Sequence, residues 1–228
     1  MKRFFLKLST VLIVSLLFTV GCDKSNDPDN SGNSNNSATT DVGVVINGVK
    51  WATRNVDAFG TFAATPESFG MFYQWNRSKA WSATEPGEGI AIGENGGWDD
   101  TLPTGDTWEK SNDPSPKGWR VPTREEQKSL LDTDKVTNEW ITQNGVTGRL
   151  FTDKATGNQL FLPAAGFRYG SDGMLSDVGT YDFYWSSTAH ETSEDFEASA
   201  YGLGFDESYA DWYLSSRRYG FSVRVVAE

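Results

Sequence analysis

One cysteine and one histidine in 228 residues leave little reactive chemistry to choose from. A disulfide framework, a Cys/His zinc site and a thiol redox pair are all excluded by that count. Positive charge is scarce as well, with 20 Lys and Arg against 31 Asp and Glu and a formal charge of -11. The chain therefore has neither the footprint of a nucleic-acid binder nor a polybasic membrane patch. Outside the first 20 or so residues no long hydrophobic run occurs, and no internal repeat of useful length is present. What is plentiful is aromatic and turn-forming: nine Trp, eight Tyr, 14 Phe and 23 Gly. With 37% apolar residues this describes a single globular domain rather than a fibre or a disordered tail.

The one apolar run is an address. Lys2, Arg3 and Lys7 precede Leu8 to Val20, and the run stops at Gly21-Cys22. A spanning helix needs roughly 20 apolar residues; this core is shorter and passes straight into Asp23-Lys24-Ser25-Asn26-Asp27. Residues 1–21 therefore read as a secretory signal that is removed. The segment Phe18-Thr19-Val20-Gly21-Cys22 resembles the bacterial lipobox, departing from it at Thr19, where leucine is usual. The resemblance implies lipidation of the Cys22 thiol and anchoring to a membrane through the new N-terminus. Several acyl chains on one residue exceed the two hydrophobic signals that stable anchoring takes, so the product is held on a leaflet without spanning it. Asp23, Asp27 and Asp29 resemble signals that send lipoproteins to the outer face of the outer membrane, which makes the cell surface the expected location. Loss of the three basic leader residues leaves the mature product more acidic still, a surface that favours a soluble monomeric domain.

Residues 22–42 are almost wholly Ser, Asn, Asp, Gly and Thr and have too little to bury to offset their ordering entropy. They read as a flexible stalk with a random-coil reach of about 25 Å. The domain then occupies residues 43–228. Val44-Val45-Ile46, Asn47-Gly48 and Val49-Lys50-Trp51 predict a hairpin, because Asn-Gly supplies the two positive φ angles of a type I′ turn. Phe69, Phe72, Tyr73, Trp75 and Trp81 mix strand and helix periods but belong to the core, and residues 85–113 read as a long structured loop. Thr123 and Glu126 form a capping box that predicts a helix ending near residues 132–134, with Leu130 and Leu131 on its apolar face. Tyr201, Leu203 and Phe205 alternate with Ala200, Gly202 and Gly204, and Phe221, Val223 and Val225 alternate with Ser222 and Arg224. Together with Leu160-Phe161-Leu162 and Phe183-Tyr184-Trp185 these are strands of an antiparallel sheet, and the glycine face lets another backbone approach closely. The fold class expected is α+β with few helices and long loops.

Five blocks in order carry a resemblance: Gly70-Met71-Phe72-Tyr73-Gln74-Trp75, Pro116-Lys117-Gly118-Trp119-Arg120-Val121-Pro122-Thr123, Leu162-Pro163-Ala164-Ala165-Gly166-Phe167-Arg168, Tyr184-Trp185-Ser186-Ser187-Thr188 and Arg218-Tyr219-Gly220-Phe221-Ser222-Val223-Arg224. Their order is similar to that of the Fibrobacter succinogenes major paralogous domain, over about Val44 to Val226. The resemblance implies a C-type-lectin-like fold and a surface lipoprotein. Two family features are missing, since Ser115 stands where a cysteine often precedes the Gly-Trp-Arg-Val-Pro block and no late cysteine follows. The last block also resembles the variable region of retroelement-diversified proteins of this fold. Asp206, Glu207, Ser208, Tyr209, Asp211, Trp212 and Tyr213 lie within that stretch and have paratope composition, with large rigid rings beside adaptable hydrogen-bonding groups.

Catalysis is not expected. Formylglycine-generating enzymes share a related fold, but their chemistry uses a cysteine pair. A Ser-His-Asp triad would have to join His190 to Ser186 or Ser187 and Asp195, and no nucleophile elbow surrounds either serine. Carboxylate pairs at Asp99-Asp100, Glu125-Glu126 and Glu194-Asp195 are what an acidic chain contains by abundance. Calcium takes about six to eight oxygens, some of which Asp99, Asp100, Asp172, Asp177, Asp206 and Asp211 could supply. Neither the Glu-Pro-Asn nor the Trp-Asn-Asp signature of calcium-dependent sugar binding occurs, so no metal or other cofactor is expected. Asp100-Thr101-Leu102 fits a short O-glycosylation acceptor pattern. The expected function is recognition of a glycan or protein ligand by a loop at residues 206–213, with Trp212 and Tyr213 stacking on the ligand and Asp206 and Asp211 accepting hydrogen bonds. The alternatives are a fixed structural or fimbria-associated envelope component and, third, a hydrolase of envelope glycans.

Overall fold

Asn47 and Gly48 adopt φ of 46° and 80°, and the hairpin they close joins β1 (Val44–Ile46) to β2 (Val49–Trp51). This is a computed structural model, and it describes residues 40–93, 96–190 and 198–228. Residues 1–39, with Cys22 and the segments read as leader and stalk, and Glu194 and Asp195 lie outside the described residues. After β3 (Met71–Gln74) and β4 (Ala80–Ser82) the chain runs through the long loop to β5 (Trp119–Arg120) and the single α-helix among the described residues, α1 (Arg124–Ser129). There follow β6 (Val136–Gln143), β7 (Val146–Asp153), β8 (Gln159–Pro163), β9 (Phe167–Arg168), β10 (Leu175–Ser176) and β11 (Tyr181–Ala189). The chain ends in β12 (Ser199–Asp206), β13 (Ala210–Ser216), β14 (Gly220–Phe221) and β15 (Val226–Ala227).

Every pairing between the named strands is antiparallel, with single parallel bridges from β11 to Gly166 and Ser222, and the strands group as β1-β2-β15-β5, β10-β9-β14-β3-β4, β11-β12-β13 and β6-β7-β8. The fold is thus an antiparallel β structure with very little helix, and the helical share implied by α+β shrinks to one six-residue element. The capping box at α1 is present as read: the Thr123 hydroxyl accepts from the Glu126 amide, and the Glu126 carboxylate accepts from the Thr123 amide at 2.8 Å. The helix nevertheless stops at Ser129 rather than near residues 132–134, because the Leu130 and Leu131 amides fold back in 3₁₀ fashion onto Gln127 and Lys128 carbonyls. A six-residue helix is far below the length that is stable alone, so tertiary contacts hold it. Its buried Gln127 amide donates to the Tyr184 and Trp185 carbonyls of β11 at 2.9 and 3.0 Å.

The core is aromatic. Trp51, Trp75, Trp185, Tyr73, Tyr184, Phe72, Phe151, Phe205 and Phe221 are fully buried, and two of the three indoles donate across the sheets: Trp75 Nε1 to the Ser186 carbonyl and Trp185 Nε1 to the Tyr73 carbonyl. Those two bonds cross-link β3 to β11, which satisfies a polar atom that burial would otherwise penalise. Gly202 has the backbone neighbour its alternation predicts, a Cβ there lying 2.8 Å from the Tyr184 carbonyl, whereas Gly204 makes room for side chains instead, a Cβ there lying 2.7 Å from the Tyr213 ring.

Alternation fails after Phe221. Ser222 and Arg224 are as buried as Phe221, Val223 and Val225, because this stretch runs between layers and has no solvent face. Polar partners compensate: the Ser222 hydroxyl donates to Asp182 at 3.1 Å, Arg224 Nε donates to Asn55 Oδ1 at 2.9 Å, and Asn55 Nδ2 donates to the Tyr184 hydroxyl at 3.2 Å. Burial drives the Asp182 carboxyl well above the usual carboxylate range, against the Ala165 and Phe183 amides and the Ser222 hydroxyl that donate to it.

The stalk boundary also needs correction. Residues 40–42 belong to the domain, because Asp41 accepts from the Gly43 and Thr53 amides, the Thr53 hydroxyl and Arg54 Nε, and its side chain is 1% exposed. These hydrogen bonds hold the Asp41 carboxyl below its ordinary pKa in spite of burial, which pushes the other way and is the largest single influence.

Candidate functional site

The residues singled out by composition do not form a loop. Asp206 closes the β12–β13 hairpin, its Oδ1 accepting from the Ser208 and Tyr209 amides at 2.6 and 3.1 Å while its own amide donates to the Tyr209 carbonyl. Glu207, Ser208 and Tyr209 are the exposed turn, and from Ala210 onward the chain is the strand β13. Asp211 is exposed and accepts from the amide of Trp212 at 2.8 Å. Both aspartates therefore already serve the hairpin backbone, Asp206 as an Asx turn and Asp211 through the amide next to it.

Strand geometry separates Trp212 from Tyr213. Successive side chains of a strand point to opposite faces, so the two rings cannot stack on one ligand as expected from the sequence. Trp212, 44% exposed, lies beside Tyr201 with ring centroids 5.8 Å apart, and the Arg124 guanidinium sits 3.9 Å over the Tyr201 ring and 4.4 Å over the Trp212 ring. Tyr213 packs on the other side, edge-on to Phe183 at 5.5 Å and to Tyr181 at 6.4 Å. Partial burial raises the pKa of both Tyr181 and Tyr213, so both phenols are neutral at physiological pH.

On the Tyr213 side an aromatic cleft of about 460 Å³ opens between β13 and the strands β9, β11 and β14. Phe167, Tyr169, Phe183, Tyr219 and Phe221 form its walls, and the backbone and side chains of Leu214 to Ser216 its rim. The rings are mutually ordered: Phe167 meets Phe183 edge-on at 5.5 Å, Phe183 stacks on Phe221 at 4.6 Å, and Tyr169 and Tyr219 lie 6.1 Å apart. Phe167 and Phe221 are rooted in the core, whereas Tyr169, Phe183 and Tyr219 are only partly buried and present surface to the cleft. The Ser216 hydroxyl is enclosed there without a hydrogen-bond partner among the described residues. Sequence reasoning missed Tyr169 and Tyr219. The signal available was the recurrence of aromatics at Phe167, Tyr169, Tyr219 and Phe221, inside or next to two of the ordered blocks.

A second and larger cleft, of about 720 Å³, is lined by Asp106 to Trp108, Thr123 and Ser187 to His190. It holds the histidine of the triad considered above, but the serines are committed elsewhere. Ser186 Oγ donates to the Tyr201 carbonyl at 2.7 Å and Ser187 Oγ to the Pro122 carbonyl at 3.2 Å, while the His190 ring packs edge-on against Tyr201 at 5.6 Å. The aspartates considered for calcium are scattered, and among the described residues no three His, Cys, Asp or Glu side chains converge as a metal site. Asp172 closes its own turn by accepting from the Met174 amide, and Asp99 accepts from the Thr101 amide and hydroxyl and pairs with Arg77. The Thr101 hydroxyl, the acceptor of the glycosylation pattern, is engaged by both Asp99 and Arg77 Nη2.

Residues 138–226 match a family described as a domain of unknown function (DUF8237). The match runs from β6 to β15 and so takes in β13 and the whole wall of the aromatic cleft, but it covers less than half of the chain. No curated protein and no solved structure matches the chain.

Proposed function

We propose that this chain is a non-enzymatic, surface-exposed lipoprotein that binds a glycan or protein ligand in the aromatic cleft beside β13, on a C-type-lectin-like scaffold similar to the Fibrobacter succinogenes major paralogous domain. The observation that carries the reading is the cleft itself, with five ordered rings around a ligand-sized concavity on a rigid sheet. Rings held by core packing offer flat contact area that needs no ordering on binding, which is how aromatic platforms recognise sugar rings and protein side chains. Commitment of the Ser186 and Ser187 hydroxyls to backbone carbonyls supports binding over acyl-transfer chemistry.

The test is calorimetric titration of the full chain with neutral tetrasaccharides derived from cellulose, xylan and mannan. Tyr169→Ala and Tyr219→Ala should each weaken the best binder by roughly tenfold, about 1.4 kcal/mol, with the domain still folded. Unchanged affinity in both variants would remove the cleft from consideration. Anchoring through Cys22 is supported by the leader and the lipobox resemblance. The wild-type chain should fractionate with the outer membrane and Cys22→Ala should not; a Cys22→Ala product that still partitions fully into membranes would sink the anchor.

A second reading, a structural or fimbria-associated envelope component, is favoured by one observation. Among the described residues β13 pairs with β12 alone, so its outer edge is open, and Trp212 and Leu214 on it are exposed. Open edges accept an added strand. Under that reading Trp212→Lys, which places a charge on that edge outside the aromatic cleft, abolishes assembly with the partner and leaves neutral oligosaccharide binding intact.

A further inference from the structure

In a chain this acidic, nearly every guanidinium is matched. Arg54 meets Asp41, Arg77 meets Asp99 and Arg120 meets Glu126, while Arg168, Arg217 and Arg224 donate to backbone carbonyls. Arg124 differs. Its amide donates to Thr188 Oγ1 at 3.0 Å, which fixes the backbone, but its side chain has no hydrogen bond and no ion pair among the described residues. Nε is enclosed without a partner, and the guanidinium plane lies in the angle between the Tyr201 and Trp212 rings, which are tilted by 61°. A cation stacked on two rings is held in place by attraction to their faces while its N–H edges stay unused. Beside it His190 packs on Tyr201, and Thr123, Thr188 and His190 line the larger cleft. The one carboxylate among that cleft's lining residues, Asp106, lies close enough to Arg217 to act on it electrostatically.

We propose that Arg124, Trp212 and Tyr201 form a recognition site for a carboxylate-bearing sugar, of the uronic or sialic acid class. The guanidinium fork matches a carboxylate in two parallel hydrogen bonds, and no acid among the described residues is paired with it. The exposed part of the Trp212 ring supplies a surface for the C–H face of the pyranose, and the Thr188 hydroxyl, which accepts from the Arg124 amide and keeps its own proton to donate, and the His190 imidazole of the adjoining cleft supply partners for its hydroxyls. This site uses the opposite face of the β12–β13 hairpin from the aromatic cleft, so either can fail without the other.

The experiment titrates the full chain in detergent with tri-galacturonic acid, with N-acetylneuraminic acid and with the neutral galactose trisaccharide. An acidic probe should bind at least about tenfold more tightly than the neutral one, and Arg124→Gln should remove about tenfold or more of that affinity. Trp212→Ala should lose a similar amount, and Tyr219→Ala should leave binding of the acidic probe unchanged. Arg124→Lys, which keeps charge and stacking but not the bidentate fork, should still lose more than about threefold. The proposal is overturned if neither acidic probe binds at about 10 mM, if the neutral trisaccharide binds as tightly, or if Arg124→Gln binds like the wild type. Should Arg124→Gln fail to fold, the Arg124→Lys result decides, and a loss under about threefold overturns the site.

Discussion

Arg168→Met will cost this domain about 3–5 kcal/mol, lowering its melting temperature by roughly 10–15 °C. The side chain is completely buried, and its guanidinium meets carbonyls rather than a carboxylate: Nε donates to Ser82 at 2.9 Å, Nη1 to Gly173 at 2.7 Å, and Nη2 to Glu85 at 2.9 Å and Pro86 at 3.4 Å. Burial lowers the Arg168 pKa, yet a guanidinium keeps its proton at any pH at which the fold survives. The four carbonyl dipoles are therefore the counter-charge. They come from the end of β4, the start of the long loop and the β9–β10 turn, so one residue ties three segments to the sheet that carries the cleft. Methionine fills much of the volume but leaves those carbonyls without their donor, each worth about 1–3 kcal/mol if it stays dry. Lysine should rescue little, since one ammonium cannot reach acceptors arranged around a planar fork. Urea titration of wild type, Arg168→Met and Arg168→Lys gives the measurement: the midpoint should fall in both variants at unchanged slope, and a loss below about 1 kcal/mol would refute the clamp.

Arg168 also illustrates where reading the sequence succeeds and where it stops. The hairpin at Asn47-Gly48 and the Thr123/Glu126 box are legible because their whole cause is local: two positive φ angles in one case, a reciprocal bond over three residues in the other. The second Asn-Gly, at Asn144-Gly145, adopts φ of 49° and 84° and joins the two eight-residue strands β6 and β7, yet nothing beside it advertises a strand. Val136-Thr137-Asn138-Glu139-Trp140-Ile141-Thr142-Gln143 lacks apolar alternation because β6 is an outer strand whose inner face holds the polar Asn138 between Val136 and Trp140, the two residues that meet the core. The same cause hides β13, whose edge position leaves Asp211, Trp212 and Leu214 exposed and lets the stretch pass for a loop. Arg168, Ser222 and Arg224 are misleading in the other direction. They look like the solvent-facing half of an alternation, but both faces of these segments are covered, and their partners lie 86, 40 and 169 positions away in the chain. Contacts of that range leave no mark on local pattern. The site suffers most, because the cleft is assembled from β9, β11, β13 and β14, and the composition that attracts notice, at residues 206–213, lies beside its lining rather than in it.

Gly70→Ala and Gly166→Ala should each destabilise the domain by about 3–5 kcal/mol, which places two of the ordered sequence blocks in the scaffold rather than in the ligand site. Both residues have positive φ, 71° and 79°, where an L side chain costs about 1–2 kcal/mol before any contact is counted. The contact is worse. A Cβ on Gly70 would sit 2.2 Å from the Val56 carbonyl oxygen, which already accepts from the Met71 amide at 3.0 Å, and one on Gly166 would sit 2.2 Å from the Ser176 carbonyl oxygen. Neither neighbour can swing aside as a side-chain tip would, since each is backbone, and Ser176 is held in β10 by pairing with Phe167. Relief must therefore come from moving β9 against β10, or β3 against the Val56 segment, and both motions shift aromatic walls of the cleft or the core beneath it. A control separates conformational strain from crowding: Gly48→Ala has a comparable φ of 80° with open space around the added Cβ, and should cost only the torsional share of about 1–2 kcal/mol. Thermal unfolding of the three variants should rank Gly48→Ala well above the other two. Equal losses in all three would mean that the close approaches at Val56 and Ser176 relax at no cost, and that the blocks containing Gly70 and Gly166 owe their sequence to something other than packing.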